Sequence, residues 1–247
     1  MLGTNSDYLE GFQGMTRENI PRIDFHLHTS WTDGENTVRE MHDQALREGL
    51  EMVLFSEHAR KTSGDWYGRF AEEVRALPLG GCRALVGVET KIENFEGDLD
   101  CPDSILEQCD LVMASVHRFP DKNGGVRHFS DVPPQEALEL EFQLAKASLQ
   151  NPKVNIIGHP FGMCYRRYRV LPSEKIIRAL IAKAAGQGVA FEINPHYHPD
   201  PWRLVECCQE LGARFSLGSN AHSVEEVGKV IRVLEGKELA WIGSESS

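Results

Sequence analysis

Short apolar runs alternate along this chain with stretches whose hydrophobic residues recur every third or fourth position. The runs 23–28, 52–56, 84–89, 111–116, 155–158, 190–194 and 214–218 are mostly continuous in apolar character, as parallel strands covered by helices are. A helix is predicted after each. The first is best marked: Thr37-x-x-Glu40 makes a capping box, Met41, Ala45 and Leu46 supply an apolar stripe, and Gly49 supplies a stop. Others are predicted over 134–149, 173–186, 202–211 and 223–234. Seven strand and helix units with no linker rich in Pro, Gly or Ser favour one closed or nearly closed α/β barrel over two domains. An open doubly wound sheet is the alternative. Residues 1–20 read as an N-terminal extension, 21–243 as the barrel and 244–247 as a tail.

Composition narrows the class. Of 247 residues, 41% are hydrophobic and 26% charged, which is ordinary for a globular chain, and no apolar run approaches a bilayer span. Residues 1–14 carry Asp7 and Glu10 and lack both a basic region and an apolar stretch, so no signal peptide is read there and a cytoplasmic location is expected. Six cysteines without Cys-x-x-Cys spacing suit reduced thiols. A net charge of −11 argues against stable coating of nucleic acid.

The ten histidines change the picture most. Side chains alternate along a strand, so in the run from Ile23 to His28 the residues Asp24, His26 and His28 share one face. Two imidazoles so placed can chelate one metal through nitrogens at about 2.1 Å. A lone His-x-His is a weak signal, but the next strands run into His58, Glu89, His117, His159 and His222. Six of the seven strands thus end at a metal-ligating residue type, on the face where parallel barrels carry their chemistry. Any one of these has a plain alternative as a hydrogen-bonded buried or rim histidine, whereas independent placement would scatter the set. His42, His128, His196 and His198 fall elsewhere, and His42, within the first helix, reads as solvated.

With these residues in place the chain resembles the polymerase and histidinol phosphatase (PHP) superfamily. The run from His26 to Gly34 is similar to its first motif, Ser56-Glu57-His58 to its second, commonly Thr-Asp-His, and Gly158-His159-Pro160 to a later one. Gly97 to Pro102, followed by Asp110 to His117, is especially similar to the PHP domain of bacterial family X DNA polymerases, here without a polymerase domain. The resemblance implies a distorted, TIM-like (β/α)7 barrel with two to three divalent metals of zinc, manganese or iron type. It implies His26, His28 and Asn220 at one metal, Glu89 bridging to a second with His117 and His159, and His58, His222 and Asp33 at a third. Asn220 stands where the family usually has aspartate, so a neutral oxygen replaces a ligating carboxylate.

Such metals suit phosphate-ester hydrolysis by metal-bound hydroxide, with Glu89 among the catalytic residues. No Gly-x-Ser-x-Gly elbow and no Walker loop advertises another chemistry. Arg118, Arg166 and Arg167, with Arg169 nearby, are candidate grips for substrate phosphate, and His196 or His198 is a candidate proton donor to the leaving alkoxide. A phosphomonoesterase acting on a small metabolite, like the histidinol phosphatases, is the leading expectation. A nuclease or phosphodiesterase is the runner-up, and a non-catalytic metal-binding regulatory module is the reading from another class.

Overall fold

The computed structural model describes residues 7–10, 12–121 and 125–240. In chain order the elements are β1 (Ile23–Leu27), α1 (Val38–Arg47), β2 (Met52–Ala59), α2 (Tyr67–Arg75), β3 (Arg83–Lys91), α3 (Asp103–Leu106) and β4 (Leu111–Ser115). A hairpin of β5 (Phe119–Pro120) and β6 (Val126–Arg127) leads to α4 (Pro134–Ser148) and β7 (Ile156–Gly158). Then come α5 (Glu174–Gln187), β8 (Ala190–Ile193), α6 (Pro201–Glu210), β9 (Phe215–Leu217) and α7 (Lys229–Leu234).

The seven-stranded parallel sheet has the order β1-β2-β3-β4-β7-β8-β9 and is nearly closed into a barrel with its helices outside. The seam closes past the strand ends, where the His28 N–H donates to the Ala221 carbonyl at 2.9 Å and the Ala221 N–H to the His26 carbonyl at 3.0 Å. Lower in the seam, both oxygens of the buried Asp24 accept backbone N–H groups, from Ser219 at 2.8 Å and Gly228 at 2.9 Å. Phe25, Phe55, Phe191 and Phe215 are fully enclosed, and each such burial stabilises by about 1.5–3 kcal/mol, so the frame beneath the strand ends is rigid.

Local chemistry explains where elements start and stop. Thr37 and Glu40 do form the capping box, and Gly49 takes the left-handed conformation at φ 67°. The stripe of α1 differs from expectation. Leu46 is exposed, whereas His42 is fully buried and donates from Nε2 to the Cys82 carbonyl at 3.0 Å, which corrects the solvated reading of His42. The helix expected after β3 shrinks to the single turn α3. The helix expected over 223–234 breaks at Gly228, whose φ of 74° stops one turn before α7 begins. Within the first twenty residues, Tyr8, Leu9 and Met15 are buried, and Tyr8 and Glu10 meet Arg83 and Arg214 at 2.7 and 2.9 Å, at the N-terminal ends of β3 and β9. The tail at 244–247 lies outside the described residues. All six cysteines are free, and among the described residues no helix is long and apolar enough to cross a membrane.

Candidate metal centre

Both β2 and β3 run further than their apolar cores and carry polar residues to the C-terminal mouth, where His58 pairs in register with Glu89. Glu89 is buried there at the centre of a ring of imidazoles. Its Oε1 lies 3.0 Å from His117 Nε2 and 2.8 Å from His159 Nε2. Its Oε2 lies 3.3 Å from His26 Nε2, 3.5 Å from His28 Nε2 and 3.2 Å from His58 Nδ1. Asp33, from the loop after β1, sets Oδ2 at 3.3 Å from His58 Nε2 and 3.5 Å from His222 Nε2. Exposure rises from 0% at the His28 side chain to 53% at Asp33, so the cluster opens to solvent on that side.

Three groups bring ligating atoms together: His28, Asp33, His58 and His222; His26, Glu89 and His159; and His58, Glu89 and His117. The third expected set, His58, His222 and Asp33, is thus gathered, with His28 added. His117 and His159 face each other at 3.3 Å beside Glu89, as the second set requires. His26 and His28 meet at 3.1 Å between their Nε2 atoms. Asn220, buried and left-handed at φ 52°, places its Nδ2 at 3.3 Å from the Tyr197 hydroxyl.

The electrostatics fit divalent cations. Burial pushes His28 well below the usual histidine range, with His58 and His26 adding to it, so its ring is neutral. Its fully buried Nδ1 has no hydrogen-bond partner and lies 3.9 Å from Asp33 Oδ1, which is a costly arrangement unless a cation accepts the lone pair. Burial lowers the His26 pKa as well, but Glu192 and Glu89 outweigh it and raise it to about 10. Burial opposes ionisation of Glu89, yet His117, His26 and His58 hold its carboxyl well below the usual range. Imidazole with carboxylate is a borderline donor set, suited to zinc, manganese or iron rather than calcium.

Two supporting carboxylates stand outside the expected ligands, Glu57 being read from sequence only within its motif and Glu192 not at all. Glu192, on β8, accepts from His26 Nδ1 at 2.7 Å, from Asn194 Nδ2 at 3.0 Å and from the His159 backbone N–H. It therefore fixes His26 with Nε2 turned to the cluster. Its only sequence signal is a charge inside the apolar run from Ala190 to Ile193. Glu57 accepts from the Thr29 N–H at 2.7 Å and from the Thr32 hydroxyl, tying down the loop that carries Asp33. Burial pushes its carboxyl up to about 7. Tyr197 is a third such residue: its ring lies 4.3 Å from that of His159.

The remaining candidates separate. His198 donates from Nε2 to the Pro160 carbonyl at 2.9 Å and accepts the Asn194 N–H on Nδ1 at 3.1 Å. Both nitrogens are committed to backbone, and burial lowers its pKa to about 4, so the expectation of a proton donor at His198 is corrected to a structural role. His196 accepts on Nε2 from Arg166 Nη1 at 2.8 Å, and burial together with that guanidinium lowers its pKa to about 3. Burial and the neighbouring cation thus favour its neutral ring. Arg166 also lies 5.9 Å from the Tyr197 ring centroid. Arg167 is exposed and stacks over Phe129 at 4.7 Å, and Arg118 pairs with Asp100 at 3.2 Å.

The chain is similar to several known proteins. A probable phosphatase of Acetivibrio thermocellus is 31% identical over 221 residues, which covers 85% of this chain and 83% of that protein. The DNA polymerase/3'-5' exonuclease PolX of Bacillus subtilis is 27% identical over 232 residues, 88% of this chain but 37% of the polymerase. The barrel matches the crystal structure of a histidinol phosphate phosphatase from Lactococcus lactis, complexed with zinc, L-histidinol and phosphate. That match has a TM-score of 0.63 and 20% identity, and it covers 87% of this chain and 92% of the other. The model of the PHP domain family matches residues 24–196, the segment that carries every histidine of the cluster except His222. A match of that extent, with a relative alike along most of both chains, means that this chain belongs to the PHP domain family.

Proposed function

We propose that this PHP-domain phosphoesterase hydrolyses a small phosphomonoester at a centre of two to three divalent ions of zinc, manganese or iron type. The observation that carries the reading is Glu89, whose two oxygens face separate groups of imidazoles and so fit a carboxylate shared between metals. Glu89, His117 and His159 would hold one ion. Asp33, His58 and His222, with His28, would hold another, and His26 beside His28 and Glu89 a third, nearest Asn220. When bound, such ions supply an activated water and withdraw charge from the phosphoryl oxygens.

The chain's own side chains do the rest. Glu192 keeps the His26 Nε2 lone pair aimed at the cluster, and Glu57 holds the loop that delivers Asp33. Arg166, half-buried against Tyr197 and His196, presents a planar guanidinium at the edge of the site, a geometry that grips a phosphate in bidentate fashion. The net charge of −11 supports a small substrate over a polymer.

Likeness to the exonuclease-bearing polymerase supports nucleic-acid cleavage as a second reading, and one assay separates the two. Metal-loaded protein is expected to release inorganic phosphate from small phosphomonoesters, to stop when a chelator is added, and to leave internal linkages of single-stranded DNA uncut. Comparable turnover of the DNA would establish the second reading in its place.

A further inference from the structure

Three cations stand at the same mouth of the barrel as the histidines, and the metal centre does not use them. Side chains return to one face of a strand every second residue, so Lys91 follows Glu89 on the face that carries the carboxylate. His58 pairs with Glu89 and Ala59 with Thr90, which sets Arg60 beside Lys91 as the chain leaves β2. On the other flank Lys91 pairs with Ser115, and Arg118 follows His117 just beyond. Arg60 and Arg118 act on the Lys91 ammonium as like charges, while Asp100 and Glu89 act on it as opposite ones.

Those opposite charges are already taken. Asp100 is held by Arg118 at 3.2 Å and accepts the Lys61 N–H at 3.2 Å, and the Lys61 ammonium pairs with Glu93. The charge of Glu89 is shared among five histidines. Among the described residues, no carboxylate lies within ion-pairing distance of the half-buried Lys91 or of Arg60. Three cations around one carboxylate leave positive charge uncompensated at the lip of the site. Two residues of strand separate Lys91 from Glu89, which is about 7 Å.

We propose that Lys91, Arg60 and Arg118 form a second anion subsite, taking a distal carboxylate or phosphate of the substrate while the scissile phosphate lies at the histidine cluster. The inference rests on the phosphoesterase reading and narrows its substrate to doubly anionic esters whose two charged groups lie about 7 Å apart. It also disfavours a leaving group that carries an ammonium at that position.

The test compares two esters of matched shape, 4-carboxyphenyl phosphate and 4-carbamoylphenyl phosphate, whose amide is uncharged where the first has a carboxylate. The wild type is expected to prefer the carboxylate by about tenfold to a hundredfold in kcat/KM, the effect of one charge-assisted hydrogen bond. Lys91→Gln and Arg60→Gln should each pull that ratio toward one, mainly through KM. A ratio near one in the wild type, or one that survives both substitutions, overturns the subsite. If neither ester is hydrolysed, the phosphoesterase reading is what fails, and crystals of the metal-loaded protein soaked in tungstate decide the subsite alone. Anomalous density against Lys91 Nζ that vanishes in Lys91→Gln supports it, and tungstate found only among the histidines overturns it.

Discussion

The packing of Gly218 against the metal centre makes a single methyl group a sharp probe of how Glu192 works. A Cβ at Gly218 would lie 2.1 Å from Glu192 Oε1 and 2.7 Å from His26 Cβ. A Cβ does not approach another heavy atom closer than 3.0 Å, so the carboxylate would have to retreat by at least about 0.9 Å, the difference between 3.0 and 2.1 Å. The 2.7 Å bond from His26 Nδ1 would stretch out of hydrogen-bonding range, and His26 Cβ would be pushed as well. Glu192 cannot swing aside cheaply, because the Asn194 amide and the His159 N–H also hold it. Gly218→Ala is therefore expected to weaken metal binding by about 10–100-fold, as the loss of an orienting partner behind a ligand does. Overpacking of this kind costs about 1–3 kcal/mol, or a melting temperature lower by about 2–12 °C for a chain of this size.

Gly186 in α5 is the internal control, since a Cβ there meets nothing within 4 Å. Gly186→Ala should leave metal affinity unchanged and raise stability by about 0.5–1 kcal/mol through the lower backbone entropy of the unfolded chain. Calorimetric titration of metal-depleted protein with manganese or zinc, alongside thermal melts, reads both quantities. Indistinguishable metal affinities for the two variants would refute the role given to Glu192.

Five other substitutions probe separate parts of the site and its support. Glu89→Gln keeps the shape and removes the shared charge, so metal content should drop and activity should fall by more than about 100-fold, beyond the effect of a residue behind the ligands; normal metal content by elemental analysis would take Glu89 out of the bridge. Arg166→Ala should raise KM about tenfold at constant metal content, while Arg167→Ala, which loses only a stack on Phe129, should change KM by less than about twofold. Glu141 accepts the Cys164 N–H at 2.9 Å, and burial pushes its carboxyl from 4.5 up to about 7, so the folded state binds its proton more tightly than the unfolded chain does. Its contribution is complete below pH 4.5 and is lost as pH rises to about 7, a difference of about 3 kcal/mol between wild type and Glu141→Gln that denaturant titrations across this range would reveal. Asn220→Asp should tighten binding of the metal nearest His26 and His28, and equal affinities in a metal titration would mean that Asn220 contacts Tyr197 alone.

Seven of the strands were legible because a strand covered by helices must be apolar along its whole length, and each core run stands out against polar neighbours. Their ends were not. β2 continues through Glu57 and His58, and β3 through Thr90 and Lys91, since backbone pairing does not care that the side chains have turned polar. The β5–β6 hairpin pairs only two residues on each side, too few for a period to register. His42 was misread although its position was readable: Val38, Met41, His42 and Ala45 recur at helical spacing, and that arc is what α1 buries. Counting Leu46 in the stripe in place of His42 rotated the buried face by about one residue.

The site was legible where chemistry sits on consecutive or alternating residues, as in His26 and His28, and illegible where it depends on what lies behind. Glu192 is a lone charge whose partners are 166 and 33 positions away, and only barrel closure brings them together. The pair His196 and His198 shows why residue type and neighbourhood do not suffice to assign a role. They are two apart on one loop and identical in kind. An imidazole that donates to a carbonyl and accepts a backbone N–H, as His198 does, is part of the frame. One that accepts from a guanidinium, as His196 does, fixes that guanidinium at the edge of the site and is itself kept neutral by it. The role follows from the partner of each ring nitrogen, and those partners, the Pro160 carbonyl and Arg166, belong to the preceding turn of the barrel. For His196 the contact supports a positional role beside Arg166, since an Nε2 that accepts from a guanidinium carries no proton to donate.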